Sequence, residues 1–243
     1  MPDVTSTRPN SLSDYQITQR WPANNPDILQ LYSMPTPNGQ KVSVMLEEIG
    51  LDYEAHKVPL NDTGVTSPAF ISLNPNNKIP AIIDPNGPDA KPLALFESGA
   101  ILVYLAEKCG KFYGKTHAER YEILQWLMFQ MAGFGPMSGQ FGFFFVYGGK
   151  DFEDKRPFER YLNEVIRLLK IIDKRLDDRD WLAGEYSIAD IAVAPWLNCI
   201  EAAYQAAQIT GLRNYKNISA YMDNFNSRPA VQRGLNVPPH NWG

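Results

Sequence analysis

Between positions 28 and 110 the apolar residues switch between two periods. Short runs at 28–33 (ILQLYS), 53–58 (YEAHKV), 79–84 (IPAIID) and 91–96 (KPLALF) have the length and composition of β-strands. After the first run, Val42, Met45, Leu46 and Ile49 recur at helical spacing until Gly50, which suits a left-handed helix end. SPAFISLN at 67–74 reads as a short helix opened by Ser67 and Pro68. The turn signal PNGP joins the last two runs into a predicted hairpin, and ESGAILVYLAEKCG predicts a helix that stops at Gly110. The predicted order is βαβαββα.

From His117 onward the period-two pattern disappears and helical spacing takes over, with helices predicted over 117–146, 154–178, 188–207 and 218–226. The chain therefore reads as α/β first and all-α second. A four-stranded mixed sheet is expected within 27–109 and a helical bundle within 117–243, with KCGKFYGKTH as the linker. Residues 1–26 are rich in Ser, Thr, Pro and Asn and lack sustained periodicity, which predicts an extension lying over the surface or against a partner subunit.

Composition removes several function classes. Among 243 residues, 44% are apolar and 21% charged, ordinary values for a globular protein with an ample core. With 23 basic residues against 27 acidic ones, the basic excess that nucleic-acid binding requires is missing, so no nucleic-acid partner is expected. No long apolar run or N-terminal apolar segment suggests a membrane span or a signal peptide, and a cytoplasmic location is expected. Two cysteines, Cys109 and Cys199, make no disulfide framework, and His56, His117 and His240 have no metal-ligand spacing. No metal is expected.

The candidate chemistry sits at helix starts. In PTPNGQK, Thr36 reads as an N-cap, Pro37 as the first helical residue and Asn38 as an amide free to point outward. This turn has no Cys and no Ser, and no Tyr follows the strand, so it either only starts a helix or solvates an anionic atom brought by a ligand. Glu97-Ser98 lies where a strand enters a helix. There the free N–H groups and the positive dipole end suit a ligand carboxylate, while Glu97 suits an ammonium; the same pair would also serve as a plain cap. Ile79-Pro80 begins a strand, and an X-Pro bond is cis in about 5–6% of folded cases; a cis bond there would offer the backbone groups of Ile79 to an extended peptide. Ser187 and Asp190 form an S-x-x-D cap with Tyr186 and Ile191 as the staple, a motif assigned to folding and worth about 0.5–2 kcal/mol per cap.

Together, NKIPA…LFESGAILVYLAEK, the turn Thr36-Pro37-Asn38 and YSIADIA at 186–192 resemble the cytosolic glutathione transferases over nearly everything from Ile28 to Leu235. The Thr-Pro-Asn turn looks like the bacterial Nu class and its fungal relatives. The resemblance implies a thioredoxin-like N-terminal domain, with a cis peptide at Ile79-Pro80 and glutathione bound by Ile79, Pro80, Glu97 and Ser98. By the same resemblance Lys78 would hold the glycyl carboxylate and Arg160 would stand near glutathione. Val65 replaces the polar residue, such as Gln, that is usual near that position, which leaves only backbone contact there. The family's second-substrate site falls in the aromatic stretch 131–149, which points to Phe134, Phe141 and Phe144 around a kink at Pro136.

If glutathione binds here, its thiol is the missing nucleophile. Lowering a thiol of pKa about 8.5 by about two units requires roughly 2.7 kcal/mol of thiolate stabilisation. A helix terminus supplies about 0.3–1 kcal/mol, whereas a hydrogen bond to a charged group adds roughly 1.5–3. Thr36 and Asn38 are therefore the expected catalytic residues, with Cys109 at a helix C-terminus and Cys199 in an apolar helix as bystanders. The expectation is a homodimeric glutathione-dependent disulfide reductase acting on small disulfides, with glutathione or glutathione disulfide in the site. Conjugation of electrophiles and a non-catalytic glutathione-binding scaffold are the rival readings.

Overall fold

The computed structural model describes residues 9–239; residues 1–8 of the N-terminal extension, and His240 with the last three residues, lie outside the described residues. Strands β1 (Leu29–Ser33), β2 (Tyr53–Lys57), β3 (Ala81–Asp84) and β4 (Leu93–Phe96) form one mixed sheet in the order β2-β1-β3-β4. β1 runs parallel to β2 and antiparallel to β3, and β3 and β4 make the expected hairpin. The strands alternate between two cores: Leu29, Leu31 and Ile82 face one apolar cluster, while Tyr32, Ala81 and Ile83 face the other.

The larger cluster joins the sheet to the helices. A short helix α1 (Ile17–Arg20) precedes the sheet. On the sheet, α2 (Pro37–Ile49) and α4 (Ser98–Cys109) bury Val42, Met45, Leu46, Ile101, Leu102 and Leu105, and α3 (Pro68–Leu73) lies on the opposite face. The helical half consists of α5 (His117–Phe129), α6 (Gly135–Phe145), α7 (Arg156–Arg175), α8 (Ile188–Asn198), the single turn α9 (Ala207–Thr210), α10 (Lys216–Asn226) and α11 (Pro229–Gly234). A mixed-sheet α/β half is therefore followed by an all-helical half, the order the sequence predicts.

The two halves are bolted together through α2. Arg228 grips Glu48 at 2.6 and 3.0 Å, and Ser43 Oγ donates to the Gly234 carbonyl at 2.7 Å. Gly234 must be glycine, because a Cβ there would stand 2.6 Å from the Val44 Cα. At the head of α8 the capping box forms as read: Asp190 is fully buried and accepts from the N–H groups of Ser187 and Leu182, both at 2.9 Å. Burial still pushes the Asp190 carboxyl up to about 6.

Two local expectations change. The helix expected over 117–146 is broken by a π-turn at Gln130–Phe134 immediately before Pro136, and Cys199–Ala203 makes a second π-turn that ends α8 well short of residue 207. Both kinks come from inserted residues in the helical ladder, the first beside a proline that cannot donate to it. The described part of the extension is not a loose cover: Leu12 and the fully buried Ile17 complete the outer apolar cluster with Tyr32, Phe70 and Ile83.

Candidate functional site

Register places the candidate residues. Tyr32 of β1 stands opposite Ala81 of β3, and Ala81 stands opposite Phe96 of β4. The exit of β1, the entry to β3 and the exit of β4 therefore lie side by side, which brings Thr36, Ile79 and Glu97-Ser98 to one end of the sheet. The exit of β2 joins them, since the Val58 N–H donates to the Ser33 carbonyl at 2.9 Å.

Thr36 caps α2, its hydroxyl accepting from the Gly39 N–H at 3.4 Å. Gly39 lets the helix start press against the turn, because a Cβ there would meet the Met34 carbonyl oxygen at 1.9 Å. Asn38 is half-buried, and its Oδ1 accepts from the Trp196 indole N–H of α8 at 3.0 Å. A carboxamide has one acceptor oxygen and one donor nitrogen, so this bond fixes the flip and leaves both Nδ2 hydrogens for a ligand. Trp196 was invisible to sequence reasoning, because the pairing spans 158 positions.

Beside this turn lies a cavity of about 950 Å³, walled by Thr36, Asn38, Tyr147, Trp196, Cys199 and Tyr204 among others. The expected aromatics do not line it. Phe134 and Phe141 are fully buried in the core, and Phe144 is half-buried, stacked on Tyr161 and edge-on to Phe152. Phe141 and Phe144 pack toward α7, against Phe158 and Tyr161, Phe134 lies in the core, and Tyr147 and Tyr204 supply the aromatic wall instead. Arg160 is also placed differently: it is exposed on α7 and borders a separate hollow of about 540 Å³ with Met137, Tyr161 and Arg167, so this chain does not bring it to its own Thr36-Asn38 turn.

At the other side of the sheet end, Ile79-Pro80 is cis, and the backbone of Ile79 makes no hydrogen bond within the described residues. Glu97 is exposed and held at φ 70°, a left-handed conformation that a glutamate adopts only under constraint. Its Oε1 accepts from Asn76 Nδ2 at 3.5 Å, a long contact that leaves the carboxylate available. Ser98, 3% exposed, opens α4 with its Oγ 3.4 Å from Lys41 Nζ. Lys78 is exposed, while its carbonyl accepts from Asn74 at 2.6 Å. Val65 is buried and its N–H is already given to the Pro59 carbonyl at 3.0 Å, which removes the N–H from any ligand contact and leaves the carbonyl.

Neither cysteine is placed as a nucleophile. Cys109 directs its thiol at the Ala106 carbonyl from the last turn of α4. Cys199 borders the cavity from the second π-turn, a closer position than the expected apolar helix interior, but burial pushes its thiol up to about 12. Among the described residues no group of His, Cys, Asp and Glu could hold a metal ion, and no helix is long and apolar enough to cross a membrane.

A family model for the glutathione S-transferase N-terminal domain matches residues 36–108, and one for the C-terminal domain matches residues 132–229. The chain belongs to the glutathione S-transferase family. It is 44% identical over 216 residues to the disulfide-bond oxidoreductase YfcG of Escherichia coli, an alignment covering 86% of this chain and 94% of that relative. Among solved structures, a glutathione transferase from Pseudomonas putida, with one glutathione disulfide bound per subunit, superposes with a TM-score of 0.93 at 57% identity, covering 94% of this chain and all of that one. One from Burkholderia graminis, with two glutathione molecules per subunit, also gives 0.93, at 54% identity over 96% of this transferase and 97% of that chain.

Proposed function

We propose that this transferase is a glutathione-dependent thiol–disulfide oxidoreductase of the Nu-like group, in which Thr36 and Asn38 stabilise a glutathione thiolate. The single observation that carries the reading is the Trp196–Asn38 bond: it occupies the amide oxygen and leaves free the Nδ2 donors of a residue that borders the cavity, in a turn that offers no protein nucleophile. Glutathione suits the donor set. The exposed Glu97 carboxylate meets the ammonium and Ser98 with the α4 N-terminus meets the carboxylate of the γ-glutamyl end; the unpaired Ile79 backbone meets the cysteinyl amide, and Lys78 the glycyl carboxylate.

The net reaction oxidises two glutathione thiols to glutathione disulfide and reduces one small disulfide to two thiols. A cavity of about 950 Å³ has room for a second substrate beside Asn38, and two of its structural neighbours hold glutathione disulfide or two glutathione molecules. The aromatic wall of Tyr147, Trp196 and Tyr204 also favours apolar electrophiles, which keeps conjugation as the second reading. We assign the glutathione-binding domain to 27–109 and the helical domain to 117–243. A cytoplasmic homodimer is the proposed form, in which Arg160 of each chain would lie outside that chain's own turn.

The deciding experiment compares steady-state turnover of a small disulfide plus glutathione with that of an aromatic chloride plus glutathione. Efficient disulfide turnover with weak conjugation is the expected result. The reverse ratio would replace the reductase reading with conjugation, and failure of both would leave a binding scaffold.

A further inference from the structure

The reaction proposed above leaves one buried charge unused. Lys41 lies in the second turn of α2, five residues after Thr36, with its side chain 0% exposed. Its Nζ donates to Gln130 Oε1 at 2.6 Å and lies 3.3 Å from Met131 Sδ and 3.4 Å from Ser98 Oγ. Gln130 is itself 1% exposed and opens the π-turn before α6, so the inserted residue aims the amide at Lys41. An aliphatic side chain at this position would avoid the several kcal/mol that burying an ammonium costs. Compared with Asp190, which two backbone N–H groups and a hydroxyl satisfy, Lys41 has one short bond and two long contacts.

An ammonium only donates. With Lys41 giving a hydrogen to Ser98 Oγ, the hydroxyl hydrogen of Ser98 must go to another acceptor; here that is Met131 Sδ at 3.6 Å, a weak thioether acceptor that a carboxylate oxygen at the start of α4 would displace. We propose that Lys41 is a positioning residue for the γ-glutamyl carboxylate, its buried ammonium orienting the Ser98 hydroxyl as a donor and placing positive charge beneath the bound anion. The inference rests on the reading that Glu97 and Ser98 receive glutathione.

Protonation makes it testable. Burial lowers Lys41 to about 7, against the pull of Glu97, so its charge is in play near neutral pH. The other acidic groups on packed elements stand elsewhere: Glu47 and Glu48 of α2 pair with Arg233 and Arg228 of α11, Asp190 of α8 sits in its capping box, and Glu107 lies in the last turn of α4, at the opposite end from Ser98. The ligand end is a zwitterion. Its carboxylate on Ser98 is one hydroxyl from Lys41, while its ammonium goes to the exposed Glu97, so Lys41 senses mainly the anion. Binding then raises the proton affinity of Lys41, and by linkage glutathione affinity falls as pH rises through the free-state value. Each unit of that rise corresponds to about a tenfold change in dissociation constant.

The test uses S-methylglutathione, which has no ionisable thiol, and calorimetry in buffers of different ionisation enthalpy between about pH 6 and about pH 8, below the ligand amine's own titration. Wild type is expected to take up protons on binding and to weaken by about tenfold over that range. Lys41→Met should bind more weakly at the acid end, show no uptake and have a flat profile. Gln130→Leu, which keeps the lysine but removes its short bond, should move the midpoint to lower pH. A Lys41→Met profile superimposable on wild type would overturn the proposal; if that variant fails to fold, an unchanged midpoint in Gln130→Leu does so. Ser98→Ala separates the two levels: unchanged affinity there would sink the glutamyl-site reading, whereas weakened binding with an unaltered Lys41→Met profile would sink only the role of Lys41.

Discussion

The turn at Thr36-Asn38 and the helix start at Glu97-Ser98 occupy the same end of the sheet but are supported from different sides. Asn38 is fixed from the helical half, by Trp196 of α8, and opens on the large cavity. Ser98 is backed by the buried ammonium of Lys41 from within the sheet domain, with Gln130 and Met131 of the π-turn against the ammonium and Met131 against Ser98 as well. In the proposed reaction the first place supplies donors where charge would build on sulfur. The second would meet charges that a tripeptide carries in every state of that reaction. Interactions that strengthen only as the reaction proceeds raise kcat, and those present throughout set affinity, so the two regions should separate in kinetics.

The largest effect is expected at the turn. Losing a hydrogen bond to a thiolate costs roughly 1.5–3 kcal/mol, so Asn38→Ala and Thr36→Val should each lower kcat for disulfide reduction by about ten- to a hundredfold. Glutathione dissociation constants should move much less. Equal losses in kcat and affinity, measured by steady-state kinetics beside calorimetry, would erase the distinction between the regions. Next in size, Glu97→Gln and Ser98→Ala should raise the glutathione dissociation constant by about tenfold with kcat at saturation nearly retained. An affinity within twofold of wild type for both would remove the pair from binding.

How much of this was legible along the chain follows the range of each interaction. The four strands, the hairpin and the Ser187–Asp190 box are local, and their partners lie within a few residues or in a simple pattern. Lys41 was not legible, because a lysine within an amphipathic helix reads as a solvated face; only the fold shows α4 and the π-turn closing over it. Phe134 and Phe141 misled for the complementary reason: aromatic content marks a pocket and a core alike, and the direction of the kink decides between them. Leu12 and Ile17 are isolated aliphatic residues in a polar segment, and no periodicity could announce that they seal the outer cluster.

A smaller effect sharpens the link between Asn38 and the helical half. Trp196→Phe keeps an aromatic ring, though a smaller one, but deletes the N–H that holds Asn38 Oδ1, a neutral bond worth about 0.5–1.5 kcal/mol. Disulfide turnover should fall by about three- to tenfold, through amide orientation, and the effect should vanish in an Asn38→Ala background. Additive losses in that double-mutant cycle would show that Trp196 acts on the cavity by itself.

The smallest effect is expected where a glutaredoxin-like mechanism would put the largest. Cys199 borders the cavity beside Asn38, so position alone admits it as a nucleophile. Its chemistry argues otherwise: buried against Tyr204 in the π-turn, its thiol is pushed up to about 12 and stays protonated near neutral pH. Cys109 faces the Ala106 carbonyl at the negative end of α4, which offers nothing to a thiolate. The double change Cys109→Ser with Cys199→Ala should therefore leave disulfide turnover within about twofold, with a modest loss of stability of about 1 kcal/mol from the buried position. Circular dichroism and glutathione affinity establish that the variant is folded. Near-complete loss of turnover in that folded protein would move the reacting sulfur from the ligand to the chain, and the two single variants would then say which cysteine carries it.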